Sequence, residues 1–219
     1  MYVLSAIPFL SYWITCSICS VFKQKTEGPK TTKSSWIGSD PKIYNTVEVS
    51  TVFKSVFLLT FSTILGNCLL LYFNIISKDI FRWYYILIGI WWIDTIEYAT
   101  HYFMHKIPFL YKNFHKEHHR IHTTYSFGAL YNNDLEAIST SSMMMIGFYV
   151  LGISFPEFIC VTTLANIATV LDHSEELTFF RYKQKFHALH HSKYQNSNYQ
   201  QPFFTYYDKL FGTYKTDEK

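Results

Sequence analysis

Two stretches of this chain, residues 1–22 and 55–77, contain no charged side chain. A membrane hydrocarbon core of about 30 Å takes about 20 helical residues, so each stretch is long enough to cross one. The first has no basic flank before it and no small-residue cleavage site, and reads as a retained anchor rather than a signal peptide. A third apolar run, residues 83–93, is too short alone. It crosses only by continuing as helix through Asp94 and Glu97 to His101 and His105, which share one helical stripe. Ionisable groups at membrane depth are costly and usually functional. A fourth apolar region, residues 137–171, is interrupted by Pro156 and Glu157 and reads as a helical hairpin that enters the membrane and returns.

The expected fold is therefore all-α, an integral membrane bundle of about four membrane helices, counting the hairpin, with a histidine-rich helical cap. The expected organisation is an anchor at residues 1–22, a polar loop at 23–54 and the body of the protein at 55–219. Lys23, Lys25, Lys30, Lys33 and Lys42 in the polar loop favour its cytosolic placement. Counting crossings from there puts His105 and His173 at the same cytosolic face.

Only 16% of the 219 residues are charged, against about one quarter in soluble domains. The net charge of +3 comes without a run of like charges, which argues against a nucleic-acid partner. Cys16, Cys19, Cys68 and Cys160 all lie in apolar stretches and read as small buried hydrophobes, not a disulfide or thiolate metal framework.

The ten histidines stand out in so apolar a chain. His101 and His105 form HxxxH. His115, His118 and His119 form HxxHH, and His187, His190 and His191 form it again. Residues at i, i+3 and i+4 share a helical face, so each triplet is expected to aim at a common centre. Two triplets and a pair offer more donors than one ion takes, which implies two ions. Imidazole suits iron, zinc, copper and nickel, so ligand type alone does not choose the metal. His173 reads either as a ligand or as a hydrogen-bonded core residue. His122, three residues after His119, reads either as a ligand or as a surface residue beside Arg120. Asp94, Glu97 and Asp172 are placed to hold imidazole tautomers. There is no HExxH zincin motif, no cysteine pair for a zinc ribbon and no glycine-rich nucleotide loop.

The order HxxxH, HxxHH, single His, HxxHH in a membrane chain resembles the fatty acid hydroxylase superfamily, which includes sterol desaturases, sterol methyl oxidases and lipid hydroxylases. The likeness covers residues 90–214. DTIEYATHYFMH carries the family's Asp, Tyr98 and first histidine pair. FLYKNFHKEHHR, YSFGALYNNDLEA, LDHSEE, HALHH and NYQQPFFTYYDKLFGTY resemble, in order and spacing, the sphingoid-base 4-hydroxylase branch. Three positions depart from the pattern. Tyr102 stands where the family usually has Arg, and Tyr207 where it usually has Trp. Asn132, Asn133 and Asp134 stand where it has Asn-His-Pro, so the ligand usually taken from that histidine would fall to His122 or Asn133. Asn133 with Glu136 also reads as a capping box for the next helix.

What the resemblance implies is a catalytic domain at residues 55–219 holding two iron ions, with zinc as a substitute. The implied ligands are His101, His105, His115, His118, His119, His173, His187, His190 and His191. Asp94, Asp172 and Asp208 would support them, and no catalytic residue beyond the metal centre is implied. The irons would use O2 and external electrons, from NADPH through cytochrome b5, to hydroxylate an unactivated carbon of a lipid chain. A sphingoid base or ceramide is the first expectation for the substrate, a sterol or fatty acyl chain the second. The implied location is the endoplasmic reticulum membrane, with the histidines facing the cytosol. Two other outcomes remain at this point: a desaturase or methyl oxidase of the same superfamily, and a degenerate, non-catalytic metal-binding membrane protein.

Overall fold

In a computed structural model, residues 2–26, 47–78, 80–122, 124–174, 181–199 and 202–216 are described. Lys30, Lys33 and Lys42, and the side chains of Lys23 and Lys25, lie outside the described residues, as do parts of the LDHSEE and NYQQPFF segments. Among the described residues every regular element is helical. The elements are α1 (Ile7–Thr26), α2 (Val49–Tyr72), α3 (Trp83–Lys106), α4 (Pro108–Asn113), α5 (Asp134–Val150), α6 (Phe155–His173), α7 (Arg181–Ser192) and α8 (Tyr206–Leu210). Short 3-10 helices span Tyr2–Ala6, His115–Arg120 and Ser126–Gly128.

Three helices, Tyr2–Val21, Val49–Tyr72 and Phe155–His173, are long and apolar enough to cross a membrane. Their outward faces carry large apolar side chains such as Phe57, Phe61, Leu65 and Leu69, all exposed, as a lipid-facing surface requires. α3 runs unbroken from the apolar stretch through the polar stripe, so the short third run does continue as one helix. Pro108 ends it, because a residue before proline is driven out of the helical region. Ile107 is accordingly extended, at φ −102° and ψ 109°, and Pro108 opens α4.

α5 and α6 form the expected hairpin. The reversal uses Gly152 at φ +68°, a conformation that costs glycine little, and Ile153 N–H donates to the carbonyl of Phe148 at 2.9 Å. Pro156 sits in the first turn of α6, and the Glu157 carboxylate accepts the Ser154 N–H at 2.8 Å. Arg82, just before α3, locks this bend. Its Nε donates to Glu157 Oε1 at 3.1 Å and its Nη2 to Glu157 Oε2 at 3.1 Å and the Gly152 carbonyl at 2.5 Å.

Two apolar cores result. One, around Leu71, Ile93, Phe148, Phe155, Phe158 and Val161, lies at the Arg82 end. Here α3 approaches both hairpin helices: Gly89 lies against Val161 and Gly147 against the Trp92 ring, leaving no room for a Cβ at Gly147. The other core, around Tyr12, Cys16, Cys19, Val56, Ile121, Tyr131 and Val170, lies at the histidine end. α1 is therefore more than a tether. Tyr12, Cys16 and Cys19 form its inward stripe, and Tyr12 Oη donates to the Phe127 carbonyl at 3.0 Å. All four cysteines are free thiols.

Candidate metal centre

Nine of the ten histidines converge in two groups. His101, His105, His115, His119 and His190 form one, with ligand nitrogens all within 4.8 Å of one another. His118, His173, His187 and His191 form the second within the same limit. The groups abut, with the rings of His119 and His191 4.9 Å apart between centroids.

The triplets do not each serve one centre, as their spacing led us to expect. Each divides, and in opposite senses. The i and i+4 members of the first triplet, His115 and His119, join the first group, while His118 joins the second. In α7, His187 and His191 join the second group and His190 the first. The reason is angular. Adjacent side chains leave a helix about 100° apart, or about 120° in a 3-10 turn. A His-His dipeptide therefore straddles the boundary between two sites, and the rings of His190 and His191 stand at 88° to each other.

Backbone carbonyls set the tautomers. Nδ1 of His101 donates to the Tyr199 carbonyl at 2.8 Å, that of His118 to Tyr131 at 2.9 Å and that of His173 to Thr169 at 2.8 Å. Nδ1 of His190 donates to the Ser197 carbonyl at 2.6 Å and that of His191 to Ile121 at 2.8 Å. His115 Nδ1 donates to Glu136 Oε1 at 2.6 Å. A carbonyl can only accept, so the rings of His101, His118, His173, His190 and His191 hold their proton on Nδ1 and present a bare Nε2 inward. Asn198, at φ +60°, lets the carbonyls on either side of it reach two rings of the first centre; asparagine tolerates that backbone state better than most residues. Its side chain holds the chain there, accepting Lys215 N–H at 2.7 Å and donating to the Phe186 carbonyl at 3.1 Å.

Burial holds the imidazoles of His115, His118, His119, His187, His190 and His191 below the usual histidine value, and repulsion among the rings adds to this for all but His118. They are neutral at pH 7, the form that binds metal. Nε2 of His101, His190 and His191 is buried with no hydrogen-bond partner. Elsewhere ring nitrogens lie close together, with His119 Nε2 2.9 Å from His105 Nε2 and His187 Nε2 2.9 Å from His173 Nε2. Buried, unpartnered Nε2 atoms of His101, His190 and His191, set among other imidazole nitrogens, fit divalent metal ions.

The other expected site residues fall outside the two groups. His122 is half-buried and belongs to neither. Asn133 caps α5, its Oδ1 accepting the Leu135 N–H at 2.9 Å. The expected capping box is incomplete, because Glu136 turns to His115 instead. Glu136 is the residue that sequence reasoning assigned wrongly, and nothing in its spacing pointed to an imidazole partner. Two of the three aspartates, Asp94 and Asp208, act on the backbone around the ligands. Asp94 accepts the N–H groups of Phe203 and Phe204 at 2.9 and 2.8 Å. Asp208 accepts the Tyr199 N–H at 3.0 Å and the Thr213 hydroxyl at 2.6 Å. Asp172 is buried beside His173, whose Nδ1 is held by Thr169. Tyr207 donates or accepts with Thr95 at 2.7 Å and stacks on Tyr98.

A cavity of about 450 Å³ opens between α2, α3, α5 and α6. It reaches His101 and His115 of the first group and His118 and His173 of the second.

Helices able to span a membrane, with two adjoining groups of histidines that could hold metal ions beside one cavity, define the class: an integral membrane protein with a candidate metal centre. The family model for fatty acid hydroxylases matches residues 86–213, more than half of the chain, and the chain belongs to that family. It is 37% identical over 131 residues to sphinganine C4-monooxygenase 2 of Arabidopsis thaliana, covering 56% of this chain and 51% of that protein. Sphingolipid C4-hydroxylase sur2 of Schizosaccharomyces pombe is 33% identical over 131 residues, 56% of this chain and 45% of that one. Cholesterol 25-hydroxylase of Rattus norvegicus is 32% identical over 140 residues, 59% of this chain and 46% of that one. The chain spans about half the length of the curated relatives it matches. No solved structure matches it.

Proposed function

We propose that this chain is a membrane lipid hydroxylase that holds two iron ions and inserts one atom of O2 into an unactivated C–H bond of a lipid chain, at C4 of a sphingoid base or ceramide. The observation that carries this is the opening of both histidine groups onto one cavity between membrane helices. The similarity to C4-hydroxylases supports the choice of substrate.

His101, His105, His115, His119 and His190 would hold one iron, and His118, His173, His187 and His191 the other. When bound, the iron pair would supply reductive activation of O2 and removal of a hydrogen atom from the chain carbon. The protein's own residues do the rest. The carbonyls of Tyr199, Tyr131, Thr169, Ser197 and Ile121 fix ring orientation, so that the Nε2 atoms stay aimed inward. The Glu136 carboxylate holds the Nδ1 proton of His115. Ile93, Met144, Phe148 and Phe158 line the same cavity and would take the hydrocarbon tail. The net balance is one C–H bond, O2, two electrons and two protons giving an alcohol and water. The electrons would come from NADPH through cytochrome b5, at an endoplasmic reticulum membrane with the histidines facing the cytosol.

The test is expression of the chain in cells that make sphinganine but lack C4 hydroxylation, with lipidomics and metal analysis of the purified protein. A C4-hydroxylated base from the wild type, and none from His118→Ala, is the expected result. Absence of oxidised lipid from the metal-loaded wild type overturns the reading. A second reading, oxidation of a sterol, is favoured by the similarity to the cholesterol hydroxylase, and an oxidised sterol in the same lipid extract would select it.

A further inference from the structure

The cavity lining mixes apolar side chains such as Met144, Phe148 and Phe158 with polar ones. Among the polar ones are Glu97, Glu136, Asn132, Thr140 and Ser141. Glu97 lies on α3 one turn before His101, and among the described residues its carboxylate has no hydrogen-bond partner. Glu136 is only 7% exposed. One of its oxygens is taken by His115, and the other, Oε2, is buried without a partner. Asn132 Oδ1 is likewise buried and unpartnered. Buried carboxylates are normally paired, because desolvating an unpaired one is costly. Here the buried Glu136 and the half-buried Glu97 face the same space, with acceptor atoms to spare and no protein cation among the described residues lining it.

We propose that Glu97, supported by Glu136, is the counter-charge for the free amino group of a long-chain amino alcohol bound in this cavity. This rests on the lipid-hydroxylase reading above and deepens it. An ammonium group supplies one positive charge and three donors, which matches two carboxylates and an unpartnered amide oxygen. Hydroxyls beside the amine would meet Thr140 and Ser141. The amine then sits within a few bonds of the carbon presented to the metal centre, and the tail runs toward Met144 and Phe158. A fatty acid would bring a third carboxylate against two, and a sterol or alcohol would leave both uncompensated. An N-acylated base, which has lost the charge, would be held more weakly than the free base. Glu97 is thus a residue that selects the head group, not one that ligates metal.

The experiment uses the full-length, iron-loaded chain in detergent. Tritiated sphinganine is displaced by hexadecylamine, hexadecanol or palmitate, which share one tail and differ in head, for the wild type and for Glu97→Gln and Glu97→Asp. The expected result is that hexadecylamine competes at a concentration at least tenfold below the other two. Glu97→Gln should lose at least tenfold in affinity for both amines with iron content and hexadecanol affinity unchanged, and Glu97→Asp should recover part of the loss. Palmitate competing as well as the amine, a smaller loss in Glu97→Gln, or no sphinganine binding by the wild type overturns the proposal. Should Glu97→Gln not fold, the ranking of the three heads on the wild type decides alone. Head-group selectivity without any oxidised product would sink the hydroxylase reading and leave this one standing.

Discussion

Asp208 accepts the backbone N–H of Tyr199 at 3.0 Å, and the carbonyl of that same residue holds Nδ1 of His101 at 2.8 Å. A carboxylate on α8 thus orients a ring on α3 without touching it. Groups that fix a ligand histidine typically change metal affinity or activity by about 10–100-fold when removed. Asp208→Ala should produce a loss in that range at the first centre. Thr213→Val, which removes the hydroxyl donated to Asp208 and shared with Tyr98 but leaves the carboxylate in place, should have a smaller effect. Competitive metal titration of the purified variants reads this, and an unchanged affinity in Asp208→Ala would remove Asp208 from the account.

The crossed division of the triplets makes His118 and His190 unequal. His118 is one of four potential donors at its centre, and His190 one of five at the other. His118→Ala leaves three imidazoles and should lose one of the two ions. His190→Ala leaves four and should keep both ions, with weaker retention at the first centre. Elemental analysis after dialysis against a chelator separates the cases. Equal losses from the two variants would contradict the partition. Under the proposed two-ion chemistry, both variants should lose product formation.

These relationships mark where sequence reading stops. The two charge-free stretches, the hairpin around Pro156 and the continuation of α3 past Asp94 were legible, because membrane thickness and helical periodicity leave few alternatives. The histidines were legible as a set, because few structures other than metal centres tolerate so many imidazoles at these spacings. Their allocation was not. Whether His118 faces the partners of His119 or those of His187 depends on how α7 packs against α6 and on the 3-10 turn. The carbonyls of Tyr199 and Ile121 carry no side-chain signature at all. Glu136 misled because the capping pattern that it completes is local and strong, whereas its contact with His115 is tertiary.

Asn133 tests that distinction directly. Its side chain caps α5 and lies outside both histidine groups. Asn133→His should therefore leave the metal content per chain unchanged, although it restores the residue the family usually has there. Asn133→Ala should destabilise the protein by about 1 kcal/mol, the usual worth of such a cap, and Asn133→Asp should be nearly neutral. Elemental analysis and denaturant unfolding check the two parts. A rise in metal content with Asn133→His would mean that α5 can turn this position toward the second centre.

The lowered histidine values predict a pH dependence with a definite sign. His115, His118, His119, His187, His190 and His191 are all held below their ordinary value of 6.5 by burial. The unfolded chain therefore takes up protons at a pH where the folded one does not. Stability is full above pH 6.5 and is lost progressively as pH falls below it, because each proton bound favours the unfolded state. Metal ions occupy the same nitrogens and compete with the protons, so the loaded protein should resist acid to a lower pH than the chelator-treated protein. Thermal unfolding in detergent at intervals from pH 7.5 to about 5 measures both curves. The metal-free protein should show a steady fall in Tm starting near pH 6.5, and the loaded protein a plateau that breaks later, together with metal release. A metal-free Tm that stays flat through this window would mean that the rings already carry protons in the folded state, and the inward-facing lone pairs would then not exist.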